Sequence, residues 1–182
     1  MELRAGDLLL RTVAGGDASE VARMWKFEQG SIPLAEARGA IKYMRDNHAR
    51  NRARNRAGFI YHLCLAVYEK GENSIIGWCG LDGKPEPGNP ERMEIFFLIG
   101  RAHRNKGYAT QCALGLLEYA FEVAKIGRVF GGCGRDNISS FKVMSKSGMV
   151  FLGAGGGGDP RFFIDRDIYG KVKIARGSFA GG

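Results

Sequence analysis

RAHRNKGYATQCALGLLEYAFEVA, residues 101–124, begins as a basic turn and ends as a buried helix. Tyr108, Ala109, Cys112, Ala113, Leu116, Leu117, Ala120, Phe121 and Ala124 recur at steps of three and four, so one stripe of that helix faces a core. The run before it, Met93-Glu-Ile-Phe-Phe-Leu-Ile-Gly100, is apolar enough for a strand. Between them stands Arg104-Asn-Lys-Gly-Tyr-Ala109, short, basic and glycine-containing. Strand, basic turn and helix in that order aim several backbone N–H groups and a positive helix end at one spot, which suits a phosphate or pyrophosphate. A turn that is merely solvated would look the same on this stretch alone. No Gly-Lys-Ser/Thr closes a P-loop and no G-x-G-x-x-G is present here, so two nucleotide sites are excluded. What remains is Arg104-x-x-Gly107-x-Ala109.

The 182 residues fit one domain with a sizeable core, and 45% apolar with 25% charged residues is an ordinary globular balance. A net charge of +8 favours an anionic ligand, an acidic substrate or nucleic acid as partner, and is silent on fold. No stretch approaches ~20 apolar residues, so no membrane span is expected. The first residues, MELRAGDLLL, lack the long apolar segment of a secretory leader. Cys64, Cys79, Cys112 and Cys133 are scattered through apolar elements without a C-x-x-C pair, which reads as reduced thiols in a cytoplasmic protein. His48, His62 and His103 show no metal spacing, and no metal is expected.

From the N-terminus, Leu8–Val13 reads as a strand. Asp17 with Glu20 resembles a capping box opening a helix to about Gln29. Ser31 and Pro33 open a second helix with apolar positions Leu34, Ala37, Ile41 and Met44. Residues 45–56, RDNHARNRARNR, hold Arg45, Arg50, Arg52, Arg54 and Arg56. A solvated helix end and loop would look like this. So would a patch for an anionic partner, because arginine forks fit phosphate and carboxylate. No aromatic residue is interleaved, so base stacking of the single-strand type has no support. Phe59–Tyr68 and Ser74–Leu81 form a hairpin around Lys70–Asn73. Asp82–Pro90 is a loop, Arg92–Gly100 a strand, Arg128–Gly132 another. Asn137 caps a short helix to Ser147. Val150–Gly153 is a strand, Ala154–Pro160 a glycine-rich loop and Phe162–Val172 a closing strand. Residues 1–174 read as a single domain, with a frayed tail over 175–182. Mixed hairpins and β-α-β units imply an α/β (α+β) fold: one mixed, partly antiparallel central sheet of about seven strands with helices on both faces.

This order, Arg104-x-x-Gly107-x-Ala109-Thr110 and a second motif, Asn137-x-x-Ser140 followed by Lys146-x-Gly148, resemble the GNAT acetyltransferase superfamily. The nearer likeness is to its Rim-type branch, the ribosomal-protein N-terminal acetyltransferases, over roughly Leu8 to Tyr169. The resemblance implies acetyl-coenzyme A as co-substrate. Its pyrophosphate would be held by the amides of Asn105, Lys106, Gly107, Tyr108 and Ala109, with Arg104 beside it and Thr110 following. Asn137 and Ser140 would line the pantetheine arm, and Ser140 would help protonate the leaving thiolate. Backbone N–H groups of Phe97, Leu98 and Ile99 would polarise the thioester. Glu94, ten residues before Arg104, matches a strand glutamate of many Rim-type enzymes. It would be either the general base or a salt-bridged edge residue.

The likeness implies direct transfer to a primary amine, on a protein N-terminus or a small molecule, by a monomer or homodimer. The alternative is a coenzyme A-binding or RNA- or ribosome-associated module without turnover. Phe96-Phe97 stands where the family has Gly-Tyr, and Met149 where it has phenylalanine, so the acceptor is not transferable from a relative. Gly131-Gly-Cys-Gly134 lacks the third glycine of a dinucleotide fingerprint and reads as a bend. Nothing near Cys133 looks like an activating base, which disfavours a covalent role.

Overall fold

The computed structural model describes residues 1–24, 30–54, 59–83 and 92–177. Its strands are β1 (Glu2–Ala5), β2 (Leu8–Arg11), β3 (His62–Glu69), β4 (Ile75–Gly83), β5 (Met93–Ile99), β6 (Arg128–Gly132), β7 (Val150–Ala154) and β8 (Pro160–Asp165). Its helices are α1 (Ala18–Met24), α2 (Leu34–Arg54), α3 (Tyr108–Glu118), α4 (Ile138–Lys146) and α5 (Arg166–Gly177). The strands form one sheet in the order β1-β2-β3-β4-β5-β6-β8-β7, antiparallel throughout except between β5 and β6.

Side-chain alternation along β3 and β4 sorts two cores onto the two faces. Leu65, Val67, Ile76, Cys79 and Leu81 join Leu8, Leu10 and Ile95 against the α3 stripe of Cys112, Ala113, Leu116 and Leu117. Ala66, Tyr68, Ile75 and Trp78 turn the other way, against Val21 and Met24 of α1 and Ala37 and Ile41 of α2. The central strands are therefore buried on both faces, which rigidifies the platform beneath the site. The helix expected to run to Ala124 does so by widening into a π turn over Tyr119–Val123, where Ala124 N–H donates to the Tyr119 carbonyl.

Four sequence expectations are corrected. The first strand is preceded by another, because Gly6 at φ +60° turns Glu2–Ala5 back onto Leu8–Arg11. Among the described residues the sheet accordingly has eight strands. The closing strand stops at Asp165, whose carboxylate accepts the Ile168 N–H at 3.0 Å and starts α5, so Ala175–Gly177 are helical; residues 178–182 lie outside the described residues. The Asp17–Glu20 box is not made. Glu20 instead accepts from Arg23 and from the Ile75 N–H, pinning α1 to β4. The basic segment is no loop up to Arg54: α2 continues through it, with Arg45 and Arg50 exposed, while Arg56 lies outside the described residues. The same holds for residues 25–29 of the first helix and for most of the Asp82–Pro90 loop.

Asp17 does a different job from the expected cap. Both its oxygens take 2.8 Å bonds from the Arg11 guanidinium, and Oδ2 also accepts the Ala14 N–H at 2.7 Å. Burial pushes its titration up, but Arg11 and the Ala14 amide outweigh that and hold the carboxyl below its ordinary range. A lowered folded-state pKa means the stabilisation is complete above the ordinary carboxylate range and is lost as pH falls through the Asp17 titration. Asp17→Ala should cost about 2–3 kcal/mol at neutral pH. Thermal melts should show Tm lowered by about 4–12 °C, and the gap between variant and parent should close as the pH falls through the Asp17 titration.

Candidate active site

β5 and β6 run parallel but meet at a single register position, Glu94 opposite Phe130. Beyond it they diverge. Gly100 N–H donates to the Ile76 carbonyl at 2.8 Å, so alternation along the ladder turns the backbone of Leu98 and Phe96 to β4 and that of Phe97 and Ile99 towards the gap. Arg104 Nε reaching the Ile99 carbonyl at 2.9 Å from the gap side agrees with this. The bond also ties the basic turn to the end of β5.

The turn is shaped by two left-handed residues, Asn105 at φ 64° and Gly107 at φ 82°. Gly107 is the N-cap of α3 and makes no side-chain cap, so the first amides of the helix point outward with no partner inside it. A Cβ on Gly107 would meet no protein atom within 4 Å. Glu69 holds the preceding turn by pairing with His103 Nδ1 at 3.1 Å. His103, and then Tyr108, keep the Glu69 carboxyl below its usual range.

A cleft of 480 Å³ lies here. Ile99, Arg104, Asn105, Gly107, Tyr108, Ala109 and Thr110 line one side, and Ile138, Ser139, Lys142, Val143 and Lys146 of α4 line the other, with His103 at the rim. Among the described residues its charged walls are all basic. Such a cleft fits a polyanion with a narrow tail: amides and cations for phosphates, and a strand gap for the tail.

The residues named from sequence are not all on this cleft. Lys106 sits beside it with Nζ 5.7 Å from the Tyr108 ring centre. Phe97 packs its ring on the α3 core, so only its backbone can serve the gap. Leu98 turns its side chain to the opposite face, towards α2. Asn137 caps α4 as expected, its Oδ1 accepting the Ser140 N–H at 3.0 Å. Ser140 is half-buried behind that cap, and Ser139 takes the place on the cleft wall. Glu94 is held by Arg92, with Nη2 at 2.7 Å and Nε at 3.2 Å from Oε1. Burial, then Asp159, push the Cys133 thiol up, so it is a poor nucleophile.

The GNAT acetyltransferase domain family matches residues 7–150. The chain belongs to the GNAT family. Among curated GNAT relatives, the uncharacterised N-acetyltransferase YjdG of Bacillus subtilis is 26% identical over 142 residues, 78% of this chain and 80% of YjdG. Ribosomal-protein-S5-alanine acetyltransferase from Vibrio fischeri superposes with TM-score 0.72 at 14% identity, covering 92% of this chain and 97% of that one. RimL, a ribosomal L7/L12 alpha-N-protein acetyltransferase solved with coenzyme A, superposes with TM-score 0.67 at 16% identity over 92% and 99% of the two chains. The GNAT fold, the N-acetyltransferase class and acetyl-coenzyme A as the family's donor follow, and the Rim-type likeness agrees with these neighbours.

A second opening on the α2 face of this GNAT sheet was not foreseen. It is a groove with an apolar end of 290 Å³, lined by Tyr43, Met44, Trp78, Cys64 and Leu98 with His48, Asn47 and His62. It continues through Tyr43, Asn47 and His62 into a polar end lined by Arg50, Tyr61, Asp82 and Gly83. Burial, then Asp82, push the Cys64 thiol up to about 12, so it lines the groove as a neutral group. Its one advance signal was the apolar spacing of Ile41 and Met44 on α2 facing a strand that carries Trp78.

Proposed function

We propose that the protein transfers acetyl from acetyl-coenzyme A directly to a primary amine. The observation that carries this is the opening between β5 and β6 beside the bare amides of α3, with Arg104, Lys142 and Lys146 along its walls. The amides of Gly107 to Thr110 and the side chains of Lys142 and Lys146 would hold the diphosphate. The tail would run into the gap, where the Phe97 N–H would polarise the thioester carbonyl. A donor of that kind is typically worth ~2.7–4 kcal/mol in the transition state. RimL, whose fold this chain shares, was solved with coenzyme A, which supports a coenzyme site on this fold. Ser139 on the cleft wall, or Ser140 beside it at the start of α4, would donate a proton to the departing thiolate.

The acceptor would approach from the α2 face over Leu98. Arg50 on that rim disfavours a polycation such as spermidine by like-charge repulsion. The acceptor is a small amine or a protein N-terminus, the latter as for the ribosomal-protein acetyltransferases named above. Incubation with acetyl-coenzyme A and a mixed pool of amines and N-terminal peptides should release thiol only when an acceptor is present, and mass spectrometry should find an acetyl adduct. Binding of the coenzyme with no adduct from any member of the pool would overturn the catalytic reading in favour of a non-catalytic coenzyme-binding module.

A further inference from the structure

His62, Asp82 and Glu94 are directly opposite one another on β3, β4 and β5, in one row across the α2 face of the sheet. The row ends at the single contact between β5 and β6. Two of its members are already paired in different ways. Glu94 is clamped by the Arg92 guanidinium, which already engages its Oε1 through two nitrogens. Asp82 Oδ1 lies 3.2 Å from His62 Nδ1. An ionised carboxylate can only accept, so Nδ1 carries the hydrogen and Nε2 presents its lone pair.

The imidazole also has a nearly parallel aromatic neighbour. The Phe96 ring stacks on it at 6.4 Å with 13° between planes. Phe96 reaches that far because Gly80, directly between Phe96 and Cys64 in the ladder, has no side chain to block it. The groove that His62 lines is the same one that Leu98 lines, one residue along β5 from the Phe97 amide. A molecule seated there touches both.

We infer that His62 is the general base of the acetyl transfer, with Asp82 positioning it, and that the acceptor is a primary amine carried next to an apolar group which fills the Tyr43, Met44, Trp78 and Leu98 end of the groove. This rests on the acetyl-transfer reading above. The nitrogen of the neutral amine bonds to the thioester carbonyl carbon and its surplus proton passes to His62 Nε2. The carbon–sulfur bond then breaks, the sulfur leaves with the electron pair, and the thiolate takes a proton from water or a nearby hydroxyl. The imidazolium returns its proton to solvent. Proton and charge balance without a covalent enzyme intermediate or a metal.

The groups facing His62 are consistent with that task. From α2 come His48, Arg50 and the Tyr43 hydroxyl; from its own strand and the residue before it, the neutral Cys64 thiol and Tyr61; from β4, Asp82; and from β5, the ring of Phe96, with Glu94 one strand further on. Asp82 stays in hydrogen-bond reach of the ring that takes the amine's proton, and Arg50 at the polar rim opposes a second cation settling beside it.

The test uses the intact protein, acetyl-coenzyme A and 2-phenylethylamine as acceptor, with methylamine as the acceptor that cannot fill the apolar end. Wild type should acetylate 2-phenylethylamine with far higher kcat/KM than methylamine, and its pH profile should show an acid limb. His62→Gln, which keeps a hydrogen bond available for Asp82, should lower kcat by ~10²–10⁴-fold and abolish that limb. Its coenzyme affinity, measured by calorimetry, should stay at the wild-type value. Asp82→Asn should show a smaller fall with the limb displaced, and Glu94→Gln should keep the limb. His62→Asn is the second variant should the glutamine prove misfolded; His62 is about one-third exposed, at 36%. Full activity and an intact limb in either His62 variant overturn the base assignment. Equal use of the two amines, or turnover of peptides in the pool with none of 2-phenylethylamine, overturns the groove assignment. Absence of turnover with every amine in the pool overturns the underlying acetyl-transfer reading instead, and is thereby told apart.

Discussion

Gly107→Val should abolish acetyl-coenzyme A binding, with affinity by calorimetry falling at least 100-fold, while the protein remains folded. Two effects act together. Gly107 sits at φ 82°, where an L-residue is strained and a β-branched one most of all, at a cost of roughly 1–2 kcal/mol. That strain alone should lower Tm by about 2–8 °C. A Cβ at Gly107 meets nothing within 4 Å beyond its chain neighbours, so the packing around the turn leaves room for it. The space it enters is the one in front of the α3 amides, where the diphosphate would lie. Gly107→Ala separates the two effects, since it brings most of the backbone strain and little of the bulk. It should melt close to the valine variant yet bind coenzyme considerably better. Dephospho-coenzyme A, which keeps the diphosphate, should lose affinity for Gly107→Val by the same factor as coenzyme A. Unchanged affinity in the valine variant would remove the turn as the anchor.

That turn was legible in the sequence because every signal in it is local. An apolar run, a basic glycine-containing turn and a helical stripe follow each other within about thirty residues, and the structure places β5, Gly107 and α3 in that order. Asn137 was legible for the same reason, since a cap bonds three residues ahead. β6 matched its expected bounds because it is short and flanked by turn residues on both sides.

What failed was either weakly marked or set by register. Glu2–Ala5 is a short, partly charged edge strand with no apolar run. Phe162–Val172 carries alternating apolar residues that suit a strand as far as Asp165. The Asp165 cap and the packing of Tyr169 on Phe121, at 4.8 Å between ring centres, turn the rest into a helix. The His62–Asp82 pair illustrates the deeper limit. Tyr68 lies opposite Ile75, and extending that pairing along the hairpin would set His62 against Leu81. A register shift between Val67 and Tyr68 moves the partner by one, so that His62 meets Asp82. A single-residue slip exchanges the two faces of a strand. Motif spacing therefore could point to Glu94 but not to the pair on the next two strands.

Among the described glycines, Gly80→Ala is expected to be the most damaging added methyl group. A Cβ at Gly80 would overlap the Leu63 carbonyl oxygen of β3 and come within 2.5 Å of Phe96 Cζ. The ring could swing aside, whereas the carbonyl belongs to a central ladder buried on both faces and cannot move without opening β3 from β4. Overpacking ordinarily costs about 1–3 kcal/mol, and a backbone overlap belongs at or beyond the upper end. Tm should therefore fall by about 6–12 °C or more. Phe96→Leu relieves only the ring. If the carbonyl decides the cost, Phe96→Leu should melt near wild type, and adding it to Gly80→Ala should recover little. Recovery of most of the lost stability in the double variant would instead make the ring the obstacle. A wild-type Tm for Gly80→Ala would show that β3 and β4 can part by the needed distance, and that the floor of the acceptor groove is softer than its two-sided burial implies. The link to function is direct: the ring that crosses Gly80 is the one that stacks on His62, so any variant that displaces it should disturb the groove before it disturbs the coenzyme cleft on the other side of β5.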